Sequence, residues 1–209
     1  MNILSREFLM KGIAKSISIA AFIIALCGMA SCKKNNPNKK NQAEMIRDEL
    51  KKFFTIAPDS QRAVVGLWLA DSASIAQSIE KDFLTRYKAE PDEKQAEEIR
   101  ERLKSTSVYF RCDDTGGFQM LTIAGDSMGV SAGALKFEKS SGKIENFTAV
   151  LKGKNQEKNV HIRIDKAKNI FEYFEGHTII IAHRETMQGD ALTEKYFKQI
   201  NQSTGLIQY

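Results

Sequence analysis

The chain has 209 residues and a formal charge of +5, from 31 Lys and Arg against 26 Asp and Glu. Basic and acidic residues are interspersed, which excludes the basic stripe of a nucleic-acid-binding face. Its three cysteines lack metal-ligand spacing, and its length suits about one domain with a real core.

The first segment carries Arg6, Lys11 and Lys15, then an apolar run from Ile17 to Ala30 broken only by Ser18. That run is shorter than the roughly 20 apolar residues a spanning helix needs. A basic start, a short apolar core and small residues before a cut point predict a secretory signal over residues 1–31. Met29-Ala30-Ser31-Cys32 resembles the lipobox read by lipoprotein signal peptidase. Met29 departs from the usual leucine, whereas Ala30 and Ser31 fit; Leu26 is too bulky to make Cys27 the rival. The resemblance implies that Cys32 receives a diacylglycerol and becomes the first residue after cleavage. The expected address is therefore the bacterial cell envelope. No acidic run follows the cysteine, and the expected site is the outer membrane, facing the periplasm. Residues 32–41, with Lys33, Lys34, Lys39 and Lys40, are polar enough to serve as a flexible tether close to anionic headgroups.

Residues 42–209 are expected to form a single domain. Met45, Ile46, Leu50, Phe53 and Phe54 recur at helical spacing and predict a helix over 41–54 that Asn41 can cap. Ala63 to Ala70 is an almost wholly apolar strand candidate. A helical hairpin is expected over 72–104. Ile75, Ile79, Phe83 and Tyr87 mark its first helix, capped by Asp71 or Ser72, and Ala96, Ile99 and Leu103 mark its second, with Pro91 at its start. The charged face of that second helix, with a Glu98–Arg102 pair, reads as a solvated surface.

From Ser105 the period changes to two. Strands are expected at Val108–Phe110, Phe118–Ala124, Ala132–Glu138, Ile144–Lys152, Lys158–Asp165, Ile170–Phe174 and Thr178–His183, separated by turn signals. An amphipathic helix over Asp190–Asn201 closes the series. About eight short strands predict a mainly β domain: an antiparallel eight-stranded barrel with an inserted helical hairpin and a C-terminal helix. An α+β antiparallel sheet is the alternative.

Gly66-Leu67-Trp68 on the first strand resembles the Gly-x-Trp signature of lipocalins and other calycins. The resemblance implies that Trp68 closes one end of the barrel, with a basic side chain from the last strand, Arg184 or His183, packed across its ring. The lipocalin Thr-Asp-Tyr motif is missing, and the hairpin is not a standard part of that family.

No nucleophile elbow, phosphate-binding loop or dinucleotide fingerprint is present, and no enzymatic activity is expected. Asp114-Thr115-Gly116 spells an aspartic-protease tripeptide, but there is no second copy to share the proton, and Gly117 makes the segment a turn. His161, His177 and His183 lie on or beside neighbouring strands; His161 sits on a polar face, and neither a metal nor a cofactor is expected. With Cys32 acylated, Cys112 has no disulfide partner and reads as a small buried hydrophobe. The expected role is non-catalytic: binding of a small apolar or lipid-like ligand inside the barrel. Leu121, Ile123, Leu135, Phe137, Phe147, Val150, Ile162 and Ile164 are candidates for lining either a cavity or a filled core. The alternative is an adaptor lipoprotein that holds an envelope protein partner.

Overall fold

A computed structural model describes residues 39–55, 62–125, 127–152 and 157–204. Cys32, the expected signal and most of the expected tether lie outside these residues. Helix α1 (Lys39–Phe54) begins within the stretch expected as tether. Strand β1 (Gly66–Ala70) is followed by α2 (Ser72–Tyr87) and α3 (Glu93–Lys104). The remaining strands are β2 (Thr106–Cys112), β3 (Gly117–Ala124), β4 (Ser127–Ser141), β5 (Ile144–Lys152), β6 (Glu157–Asp165), β7 (Ile170–Glu175) and β8 (Thr178–Arg184). Helix α4 (Gly189–Thr204) ends the described chain.

The eight strands form a closed barrel in sequence order, antiparallel throughout. Closure rests on β1 pairing with β8 at Trp68↔Arg184, Leu69↔His183 and Ala70↔Ala182. The expected barrel with an inserted hairpin and a C-terminal helix is thus the architecture observed, and it removes the open edges a long meander leaves exposed. The turns at 113–116, 142–143 and 166–169 lie at the end where β1 begins, here the lower end. The α2–α3 hairpin and the turn at 176–177 lie at the upper end.

The polar turns follow from local chemistry. Asp113 Oδ1 accepts from the Thr115 amide at 3.1 Å, the Thr115 hydroxyl at 2.7 Å and the Gly117 amide at 2.6 Å. Gly116 takes φ +91°, which a side chain would resist. The tripeptide 114–116 is therefore a strand-connecting turn. Asp71 caps α2 by accepting from the Ala73 and Ser74 amides. Asp92, rather than Pro91, starts α3, in a reciprocal capping box with Gln95. Ion pairs on α3 join Glu97 to Arg100 and Glu101 to Lys104, and none of its residues is fully buried.

Two apolar clusters explain the strand sequences. One contains residues from β1, β2, β3, β5, β6, β7 and β8, with partly buried Leu135 from β4 against it, and fills the barrel interior. The other lies outside, where α1 and α4 cover β1, β2 and β3. Leu67, Tyr109, Leu121 and Ile123 point outward into Leu50, Phe53, Phe54, Leu192, Tyr196, Phe197 and Ile200. Tyr109 and Tyr196 share a hydroxyl–hydroxyl bond of 2.9 Å, and Tyr196 also donates to Ser107 Oγ at 3.1 Å. Burial pushes the Tyr109 hydroxyl far above its ordinary range, so that hydroxyl stays protonated.

Strand β1 stops at Ala70, which leaves the upper part of β8 paired with β7 but without a strand on its other edge. Helix α2 takes that place with side chains. Ser74 Oγ accepts from the Ile181 amide at 3.0 Å and Ser78 Oγ accepts from the Ile179 amide at 3.2 Å. The Asp71 amide donates to the Ile181 carbonyl at 2.8 Å. Serines four apart on a helix lie on one face and rise about 6 Å, close to the two-residue repeat of a strand. Beside them, Ile75 enters the interior cluster and Ile79 packs against it.

Candidate ligand site in the barrel interior

The lower end is closed by Trp68. The Arg184 guanidinium carbon sits 4.5 Å from the centre of a Trp68 ring. Its Nη1 donates to the Val65 carbonyl at 2.9 Å and its Nη2 to the Ala63 carbonyl at 2.8 Å. Trp68 Nε1 donates to the Val64 carbonyl at 2.9 Å, so the buried indole keeps no orphan donor. Gly66 is required twice over: its φ is +142°, and Arg184 Nη1 occupies the space a Cβ would take. Of the two basic candidates, Arg184 makes this contact, and His183 is exposed.

Above the indole, aromatic rings fill the lower half of the barrel. Phe171 lies 5.5 Å from Trp68, Phe110 lies 5.0 Å from Phe171, and Tyr173 lies 5.1 Å from Phe110. Phe118 stacks on Phe110 at 6.2 Å. Cys112 is buried in the same cluster; full burial pushes its thiol well above the ordinary range, so it behaves as an apolar side chain.

The upper half has a different lining. Val108, Val160 and Ile180 face inward, with Ile75 of α2 and Leu103 of α3 behind them. Strand β4 adds little bulk here. Its Gly129 lies opposite Thr122 and its Ser131 opposite Met120, a residue of the interior cluster. Gly133, opposite Phe118, is glycine for another reason: an added Cβ would strike the Val150 carbonyl of β5. At the upper mouth, Lys158 Nζ bonds Glu175 Oε1 at 2.5 Å, and the Tyr173 hydroxyl donates to Glu175 Oε2 at 2.7 Å. Lys158 alternates with Val160 and Glu175 with Tyr173, which places this polar group on the inward face.

Thr122 is the one described residue whose buried side-chain polar atom finds no hydrogen-bond partner among the protein atoms. The residue is 1 % exposed. Its direction follows from alternation: Leu121 and Ile123 belong to the outer cluster, while Met120 and the cross-strand Val108 belong to the interior one.

The candidate lining residues separate accordingly. Phe147, Ile162 and Ile164 lie in the interior cluster, and Leu135 packs against it. Phe137 is inward by register and meets Phe147 edge-on at 5.5 Å, yet stays 48 % exposed at the lower rim. Leu121 and Ile123 are corrected to the outer face beneath α1 and α4, because β3 is apolar on both sides. Val150 is also outward and 41 % exposed. Sequence reasoning missed Val108, Phe110, Phe118, Phe171, Tyr173 and Ile180 as lining, and Thr122, Lys158 and Glu175 as its polar members. The alternation of Phe171, Tyr173 and Glu175 was the available signal for the β7 members.

His161, His177 and His183 are all exposed, and among the described residues no three His, Cys, Asp or Glu side chains gather at a metal-sized site. No family model, curated protein or solved structure matches this chain.

Proposed function

We propose that this chain is a lipid-anchored protein of the bacterial cell envelope, held at the outer membrane through Cys32, whose barrel takes up a small apolar or lipid-like ligand. The observation that carries the reading is the composition of the upper barrel. Its walls are apolar and enclosed by a strand circuit, while β4 turns only the small residues Ser127, Gly129 and Ser131 toward the helix-covered end. An eight-stranded barrel has an interior of the size that holds either packed side chains or one small ligand. Most of the rings lie in the lower half, Tyr173 reaches up to Glu175 at the mouth, and the ligand would lie beside it among the smaller side chains of Val108, Val160 and Ile180. A membrane anchor would keep that mouth close to a source of apolar molecules. Titrating the full chain carrying Cys32→Ala with a fluorescent fatty-acid probe tests the binding. A saturable blue-shifted signal is expected, and no signal with a solid interior contradicts it.

A second reading is an adaptor that holds an envelope protein on the hairpin. Leu84 and Tyr87 on α2 are each 47 % exposed, with Phe83 against Tyr87 at 4.5 Å. Capture of an envelope protein that is lost in Leu84→Glu/Tyr87→Glu would favour it.

A further inference from the structure

A buried hydroxyl without a partner forfeits the hydrogen bonds it made to water, and native structures seldom tolerate this without a reason. Thr122 Oγ1 is in that position, inside a barrel rather than in a turn or at a helix end. Its inward cross-strand neighbours are Val108 on one side and Gly129 on the other, and neither side chain carries a hydrogen-bonding group. Ser131, the next inward residue of the same β4 wall, adds a second hydroxyl. The Lys158 ammonium at the mouth is already matched by Glu175, so that group offers no net charge for an ionised head. Building on the ligand reading above, we infer that Thr122 is the buried polar contact of the ligand. The ligand class is then a neutral amphiphile, with an alkyl body and one hydroxyl or carbonyl oxygen at its buried end.

The class follows from what a threonine can and cannot do. Its hydroxyl both donates and accepts, so an alcohol, ester or ketone satisfies it. A carboxylate placed in the same apolar surroundings would lack a counter-ion and lose its hydration. A pure hydrocarbon would leave the hydroxyl as unsatisfied as before. A free fatty acid enters only with its carboxyl protonated or turned toward the mouth.

The experiment compares the full chain carrying Cys32→Ala with the same chain also bearing Thr122→Val or Thr122→Ser. Each is titrated with decan-1-ol and with 1-chlorodecane, read by displacement of the fluorescent fatty-acid probe. Thr122→Val should weaken decan-1-ol by about tenfold, as expected for one buried hydrogen bond. It should leave 1-chlorodecane within about twofold, and Thr122→Ser should restore most of the alcohol's affinity. Without ligand, Thr122→Val should fold and melt no lower than the parent, because valine has the same shape without the unpaired group. Equal affinities for both compounds in all three chains, with an ordered water on Oγ1 in a crystal structure, would overturn the assignment while leaving the ligand reading standing. Failure of the parent to bind either compound would overturn both.

Discussion

Ser78 meets Ile179 as a neighbouring strand would: its hydroxyl donates to the Ile179 carbonyl and accepts the Ile179 amide. Ser74 accepts the Ile181 amide in the same way, while its own proton goes to the Asp71 carbonyl at 2.8 Å and the Asp71 amide serves the Ile181 carbonyl. Two side chains on one helix thereby complete a strand edge that β1 is too short to reach. Ile75 is the one fully buried large apolar residue of this helix among those described, with Ile79 partly buried against the same cluster. Replacing Ser74 and Ser78 by Ala should cost roughly 1 kcal/mol each, measured by urea denaturation, and should speed amide exchange at Ile179 and Ile181 well before the Ile180 amide responds. Unchanged exchange at those two amides would show that the serines do not hold the edge.

The lower end should be far less tolerant. Arg184→Lys keeps the charge but cannot span both the Ala63 and Val65 carbonyls while lying over the indole. A loss of about 2 kcal/mol is expected from the broken bonds and weakened stacking. Gly66→Ala should be at least as damaging, because the guanidinium must move and the backbone is strained. Trp68 is the single tryptophan of the chain, so its fluorescence reports both variants directly.

The β2–β3 turn carries an acid-sensitive contribution. Partial burial opposes ionisation of Asp113, but the Thr115 hydroxyl, the Gly117 amide and nearby Arg111 outweigh it and hold the carboxyl below its ordinary 3.8. A depressed carboxyl stabilises the fold fully above its unfolded value and loses that contribution as pH falls through the folded one. Asp113→Asn should therefore flatten the acid limb of the stability curve below about pH 4, while leaving the shape of the curve near neutrality unchanged. An acid limb identical to that of the parent would remove Asp113 from this role.

Cys112 should be inert in the folded protein. Its side chain is fully buried and its thiol is held protonated by that burial. In the chain carrying Cys32→Ala and Cys27→Ala, an aromatic disulfide reagent should label it only at the rate of unfolding, rising with urea. Rapid labelling in buffer would mean that the lower barrel opens.

How much of this was legible in the sequence varied with how many faces each strand buries. Strand β6 is buried on one side only, so Val160, Ile162 and Ile164 alternate with exposed His161 and Arg163, and its inward face was readable directly. Strand β3 is buried on both sides, inward at Phe118 and Met120 and outward at Leu121 and Ile123, and its near-continuous apolar run gives no phase. The error at Leu121 and Ile123 follows from that loss of phase. The turn signals between the strands were readable from Gly, Asp and Ser, and the structure sets Arg184 over the Trp68 ring. The serine pair on α2 was not readable, because its role depends on where β1 stops, and Thr122 became visible only once its surroundings did.

A ligand is expected to occupy the upper interior of the barrel and not the groove beneath α1 and α4. Methyl resonances separate the two directly: Val108, Val160 and Ile180 lie inside, Leu121, Ile123 and Leu192 outside. Titration of the full Cys32→Ala chain with decan-1-ol should give saturable shifts at the first three and none at the second three. Shifts confined to the outer set, or none at saturating ligand, would contradict it.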